Sequence, residues 1–283
     1  MRSVFLKCLV AISLDRRLLL KILILSNATH SFYAAILQLD LTTTDLADND
    51  DLADNDGLRQ KAIAIHNRLC HEYDCPIAYF HSLDPLSELI SSLLSHRTKN
   101  KDSAQAFKQL RATFSTWEVV RDAETSAVQT AIAPCTWPEQ KAPRIQAILA
   151  QITAERGELS IDFLADLSVE AARTWLETLS GVGPKTSAAV LAFSTLRRRA
   201  LPVDSHHHRV AARTGLISAK VAVGRSHKIL TAQLPPEWSA QQVYDNHEVL
   251  MLHGQRCCYY RKPMCDRCSI LDLCPHGQAL QKR

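Results

Sequence analysis

Leu179-Ser180-Gly181-Val182-Gly183-Pro184-Lys185-Thr186 stands between two stretches with helical apolar spacing, Ala171 to Thr178 and Ser187 to Phe193, and reads as a tight hairpin joining two helices. Gly181 and Gly183 permit the positive φ and the close backbone approach such a turn needs. Pro184 suits the first position of the second helix, where its missing N–H would have had no intrahelical partner. Amides exposed at that helix start can hold a phosphate without reading any base. A lone Gly-x-Gly is a weak signal and is often a plain turn. Lys185 sharpens it, because an amine beside a phosphate-binding hairpin either grips the backbone or does chemistry on DNA.

Outward from the hairpin, apolar periodicity predicts helices over 60–73, 85–97, 102–113, 140–154, 169–179, 184–196, 205–214, 219–232 and 240–252. No convincing alternating strand intervenes, so the chain reads as all-α. Leu86, Leu89, Ile90, Leu93 and Leu94 form a core-facing stripe. Downstream of the hairpin, Pro202-Val203-Asp204-Ser205-His206 leads into a helical run from His207 to Arg213. Asp204 reads as the N-cap of that run. Capping leaves it free for chemistry, since helix amides hold an N-cap carboxylate ionised and fixed in direction. Three adjacent histidines cannot all face one way on a helix, which argues against a metal site built from them alone.

Near the C-terminus Cys258, Cys265, Cys268 and Cys274 stand at spacing C-x6-C-x2-C-x5-C. Four thiolates in so short a non-repetitive stretch need a common cation to offset their burial. One C-x2-C knuckle with single cysteines outside it favours an iron–sulfur centre, with zinc, which more often pairs two knuckles, as the alternative. Cys257 beside Cys258 competes for the first ligand position, but only Cys258 gives the x6 gap. The other five cysteines, Cys8, Cys70, Cys75, Cys135 and Cys257, show no disulfide framework, which implies a reducing, intracellular setting.

Together these segments resemble the endonuclease III family of DNA glycosylases, of the helix-hairpin-helix, Gly/Pro-Asp superfamily. The resemblance runs from about residue 57 to residue 283 and rests on three stretches in order: the hairpin with Lys185, Pro-Val-Asp-Ser-His, and His253-Gly254 before Arg261-Lys262-Pro263 in the four-cysteine loop. It implies two lobes with a DNA cleft between them. One is a six-helix barrel carrying the hairpin, over 78–197; the other is a helical [4Fe-4S] cluster domain, over 57–77 plus 198–283. It also implies a monomer acting on double-stranded DNA that contains damaged bases or abasic sites, inside the cell and away from membranes.

The chemistry can be rebuilt from the residues. Lys185 would attack the sugar C1′ and form a Schiff base, which drains electrons from C2′ and permits β-elimination on the 3′ side. A protonated ammonium cannot attack, so its pKa should be lowered by partial desolvation or by the hairpin's positive end. Asp204 would take a proton from the amine or stabilise positive charge at C1′ as the base departs. The nucleotide must first leave the stack. The lysine favours a bifunctional glycosylase and abasic-site lyase, with oxidised pyrimidines as the base class on resemblance alone. A lyase restricted to abasic sites and a noncatalytic DNA-binding protein are the rival readings.

Two departures from the family touch specificity. Ser95-His96-Arg97-Thr98 stands where members commonly carry Ala-Gln-Ala-Thr, so Arg97 takes the place of the glutamine that fills the opened duplex, or else grips a phosphate. Trp137, in Thr136-Trp137-Pro138-Glu139-Gln140-Lys141-Ala142, stands near the family's leucine wedge, with an ordinary packed tryptophan as the other reading.

The composition, 46% apolar over 283 residues, is ordinary for a globular protein long enough for two lobes. Against a net charge of +4, the segment 1–57 holds five basic and eight acidic residues, leaving about +7 on the remainder. That excess suits a polyanion, and Arg256, Arg261, Lys262 and Arg267 concentrate it around the cysteine loop, as phosphate contacts or as solvated charge. Val4 to Ile12 and Leu18 to Ile24 are apolar, but Asp15-Arg16-Arg17 divides them, so neither can span a bilayer. Residues 1–40 read as an organellar presequence or an upstream-extended start. Asp45-Leu46-Ala47-Asp48-Asn49-Asp50, repeated over 51–56, reads as a disordered acidic linker. It lacks the glycine and distal glutamate of a calcium loop.

Overall fold

The computed structural model describes residues 55–282. The readings of residues 1–40, of Cys8 and of the acidic repeat up to Asp54 fall outside them. The described residues form twelve α-helices and three short 3-10 turns, with no strand among them, in line with the all-α reading. No helix there is long and apolar enough to cross a membrane.

The helices are α1 Asn55–Tyr73, α2 Pro85–Ser95, α3 Asn100–Thr113, α4 Trp117–Asp122, α5 Thr125–Ala131, α6 Pro138–Arg156, α7 Val169–Leu176, α8 Pro184–Phe193, α9 Ser205–Thr214, α10 Val223–Ala232, α11 Ala240–Arg256 and α12 Pro275–Gln281. Their ends follow local chemistry. Asp84 caps α2 by accepting from the Ser87 N–H at 2.9 Å, with Pro85 at the first turn. Ser239 and Gln242 close a capping box on α11. Periodicity missed α4, α5 and α12 because six or seven residues complete too few turns to register a period. It carried α2 two residues too far, since His96 leaves the helix at ψ 118° and Arg97 takes a left-handed φ of 50°.

Two main apolar cores organise the described chain. The larger gathers Leu89, Ile90, Leu94, Leu110, Ile145, Ile148, Leu149, Leu176, Val190 and their neighbours from α2 to α8. The second gathers Ile65 and Leu69 of α1 with Val203, Val210, Leu230, Val249 and Ile270 from the C-terminal third. A small aromatic cluster, Phe193 and Tyr244 with Tyr79 against them, lies where α8 meets α11.

One sulfur expectation is corrected. Cys70 and Cys75 are joined in a disulfide. After α1 ends at Tyr73, Asp74 turns left-handed at φ 59° and the Cys75 N–H returns to the Cys70 carbonyl at 3.0 Å, which brings the two side chains together. Spacing alone does not reveal that turn.

Candidate active site and cysteine centre

The hairpin is built by one glycine more than by two. Gly181 has φ +81°, and a Cβ placed on it would lie 2.8 Å from Arg144 Cδ. Gly183 differs from the expectation: its φ is −114°, it serves as the N-cap of α8, and a Cβ there would meet nothing within 4 Å. Its backbone therefore faces open space, where a ligand can come close. Val182 between them is buried in the larger core, which anchors the turn from beneath.

Lys185 follows in the first turn of α8. Its side chain is partly accessible, but its ammonium lies deep among protein atoms. Burial lowers its pKa from the ordinary lysine value, opposed by Asp204 first and then by Glu88 and Glu248. Asp204 caps α9, with Oδ1 accepting from the His207 N–H at 2.7 Å. The hairpin lysine at the start of α8 and the capping carboxylate at the start of α9 thus lie within electrostatic reach of each other. Glu88 of α2 is buried, accepts from Ser92 Oγ at 2.9 Å and lies 3.0 Å from His81 Nε2. His96 lies 2.9 Å from Thr186 Oγ1, and burial with the nearby Lys185, Lys141 and Arg144 charges pushes it down to about 4, so it is neutral at pH 7.

The rim beside the hairpin is basic and open. A cavity there is lined by His96, Arg97, Trp137, Gln140, Lys141 and Arg144. Arg97 is exposed and Trp137 is 46% exposed, and both are left-handed, Trp137 at φ 56° as the N-cap of α6. Trp137 is therefore not an ordinary packed tryptophan. Lys141 holds this rim together from inside. Its buried ammonium donates to the Leu94 carbonyl at 2.6 Å, the His96 carbonyl at 2.9 Å and Thr98 Oγ1 at 2.8 Å, which uses all three of its protons.

At the far end of α11, Cys257, Cys258, Cys265, Cys268 and Cys274 line one cavity. Arg213 donates to Cys258 Sγ at 3.2 Å and to the Tyr259 and Tyr260 carbonyls, and the Gly277 N–H donates to Cys274 Sγ at 3.3 Å. A Cβ on Gly277 would lie 2.8 Å from Leu271 Cδ1 and in ordinary contact with Cys265 Sγ at 3.5 Å and Cys274 Sγ at 3.6 Å, so glycine here packs close beside the sulfurs. Cys268 Sγ lies 3.4 Å from His253 Nε2, and its thiol is pushed up to about 12 by burial. Sulfurs gathered this closely, with cationic and N–H donors aimed at them, fit a thiolate-ligated metal group. His253, Cys257 and Cys268 also bring their ligand atoms within 4.8 Å of one another, so Cys257 stays beside Cys258 as a candidate. Arg256, Arg261, Lys262 and Arg267 are all exposed on this loop.

Glu88, Lys141, Arg213 and Glu248 went unread in the sequence. A buried charge gives no local signal when its partners lie 43 to 47 residues away, as for Lys141. Only the helical register of Glu88 and Glu248, among apolar neighbours on helices buried on most sides, hinted that they face inward.

Residues 90–236 match the HhH-GPD superfamily of base excision DNA repair proteins. A protein of Arabidopsis thaliana named as a DNA glycosylase is 34% identical over 177 residues, covering 62% of this chain and 59% of that protein. The endonuclease III of Haemophilus influenzae is 29% identical over 224 residues, covering 79% of this chain and 99% of that one. In fold, the chain is similar to a non-covalent endonuclease III–DNA complex at a TM-score of 0.67 with 20% identity, covering 80% of this chain and 99% of that one.

Proposed function

This chain belongs to the HhH-GPD superfamily of base excision DNA repair proteins, and from that premise we propose that it is a bifunctional DNA glycosylase and abasic-site lyase. The observation that supports the reading is a deeply set Lys185, its pKa lowered by burial, at the start of α8 within the electrostatic reach of Asp204, the cap of α9.

Lys185 is the nucleophile. Once neutral it attacks C1′ of an extruded nucleotide, and the resulting iminium makes the C2′ proton acidic enough for β-elimination. Asp204, held in direction by the α9 amides, stabilises positive charge at C1′ while the base leaves. The amides around Gly181, Val182 and Gly183 take a phosphate, and the open face of Gly183 gives it room. Arg97 and Trp137, on adjoining left-handed turns, enter or brace the opened duplex, while Arg261 and Lys262 grip phosphates on the far side. Residues 78–197 and 57–77 plus 198–283 act as two lobes around the cleft. The damaged base is an oxidised pyrimidine, the protein works as a monomer on duplex DNA inside the cell, and the preference among lesions follows from the rim.

Cys258, Cys265, Cys268 and Cys274 would hold a [4Fe-4S] cluster, with Arg213 and the Gly277 N–H balancing its sulfur charge. Bound there, the cluster supplies a rigid, charge-bearing anchor for the basic loop. Arg209 and Arg213 fasten that loop to α9 through the Gly254, Cys258, Tyr259 and Tyr260 carbonyls.

The test is borohydride trapping on duplex DNA with one abasic site, comparing the unsubstituted protein with Lys185→Ala and Asp204→Asn. An adduct present in the unsubstituted protein and lost in Lys185→Ala establishes the Schiff base. No adduct, with binding intact and metal loaded, removes the lyase. A panel of oxidised pyrimidines then tests the base class.

A further inference from the structure

The cysteine cavity receives Arg213 at Cys258 and the Gly277 N–H at Cys274, and a third polar group reaches Cys268 from α11. His253, in the last turn of that helix and 1% exposed, turns Nε2 to Cys268 Sγ at 3.4 Å. Its Nδ1 meets the hydroxyl of Tyr73, the last residue of α1, at 3.2 Å. Glu72 stands beside the same pair, 4.0 Å from Nδ1, and accepts from Ser269 Oγ of the cysteine loop. The His253 carbonyl takes the Cys257 N–H at 2.9 Å and the Cys258 N–H at 2.7 Å. One residue thus holds the start of the loop through its backbone and the middle of it through its ring. The same ring lies near Cys257 and Cys268 together, close enough to serve as a metal ligand, so a test has to tell donor from ligand.

We propose that His253 is a positioning residue of the cysteine centre, donating its Nε2–H to the Cys268 thiolate in the tautomer that Tyr73 fixes. A ligating cysteine is a thiolate and only accepts, so the ring proton stands on Nε2. A neutral imidazole then has a bare Nδ1, and the Tyr73 O–H fills it. Tyr73 is itself held, because it lies within the turn that the Cys70–Cys75 disulfide closes. Two effects follow for an iron–sulfur group. A donor aimed at a ligating sulfur draws off negative charge, which favours the reduced state and raises the potential. The ring also fixes the direction of the sulfur and ties the loop to α1 and α11, so metal leaves slowly.

This inference rests on the proposed [4Fe-4S] reading, and the experiment separates the two. Iron content, iron loss to a chelator and reduction potential are measured on the unsubstituted protein, His253→Leu, His253→Gln and Tyr73→Phe, with circular dichroism to show that each is folded. His253→Gln keeps an N–H donor near the place of Nε2, whereas His253→Leu keeps only bulk. The unsubstituted chain should carry about four iron atoms. His253→Leu should show a lower potential and roughly tenfold faster iron loss. His253→Gln should recover both, and Tyr73→Phe should shift both the same way by less. A folded His253→Leu with unchanged potential and iron loss overturns the proposal and leaves the cluster reading intact. So does a His253→Gln that behaves like His253→Leu, or a histidine nitrogen bonded directly to iron in pulsed electron paramagnetic resonance of the reduced centre. Where His253→Leu does not fold, an unshifted potential in Tyr73→Phe overturns the proposal in its place. A purified unsubstituted chain without iron overturns both.

Discussion

At the residue scale the two hairpin glycines separate cleanly. Gly181→Ala forces a side chain into left-handed backbone and against Arg144, so it should cost about 1–2 kcal/mol of stability, read as a lower thermal midpoint. Gly183→Ala meets neither obstacle and should leave that midpoint nearly unchanged. Its methyl group would nonetheless stand where a phosphate is proposed, so affinity for abasic duplex should fall with the fold intact. Equal affinity for Gly183→Ala and the unsubstituted protein would move the phosphate elsewhere. The sequence displayed both glycines but not their difference, because φ at each is set by how the turn seats Val182 and Arg144. Asp204 as a cap was legible at once, since the amide it serves lies three residues along.

At the scale of elements, the turn after α2 depends on a residue in α6. Lys141→Met removes all three donors while keeping the aliphatic stem, and should destabilise the protein by roughly 2–3 kcal/mol. The left-handed Arg97 should then lose its fixed direction, so discrimination between damaged and intact duplex should fall more than overall affinity. Binding titrations on the two duplexes check this. Helices long enough to repeat their apolar period were readable in the sequence. The short α4 and α5 were not, nor was the Cys70–Cys75 turn, which depends on where α1 stops.

At the scale of the molecule, acid stability follows from buried histidines. His96 and His227 are pushed down to about 4, and His207 and His247 to about 3, in each case chiefly by burial. Each has a folded pKa below its unfolded value near 6.5, so the unfolded chain binds more protons between those limits and stability falls as pH drops through that window. Glu248 works the other way, gaining stability as pH falls below 7, but it is one group against four. Calorimetric melts should show the midpoint decreasing from pH 7 to pH 4, with net proton uptake on unfolding at pH 5. If the proposed cluster is bound, Arg213→Ala, which takes a cation and two loop contacts from the cysteine centre, should lower the iron retained per chain and speed its loss to a chelator. The four-cysteine spacing announced this centre. The guanidinium that serves it could not be read, because Cys258 lies 45 residues further along the chain.

Helix α11 runs from beside the small aromatic cluster to the cysteine centre. Glu248 sits in its interior, His253 at its last turn and Cys257 just past its end, so about 12 Å of unbroken helix runs from Glu248 to the edge of the sulfur cavity. A rod of that kind transmits fraying. If the loop loses its metal, the final turn loses its anchor, and amide exchange should quicken first at Arg256 and then stepwise back toward Glu248. The support of α11 would then depend on the proposed metal, with no electron moved.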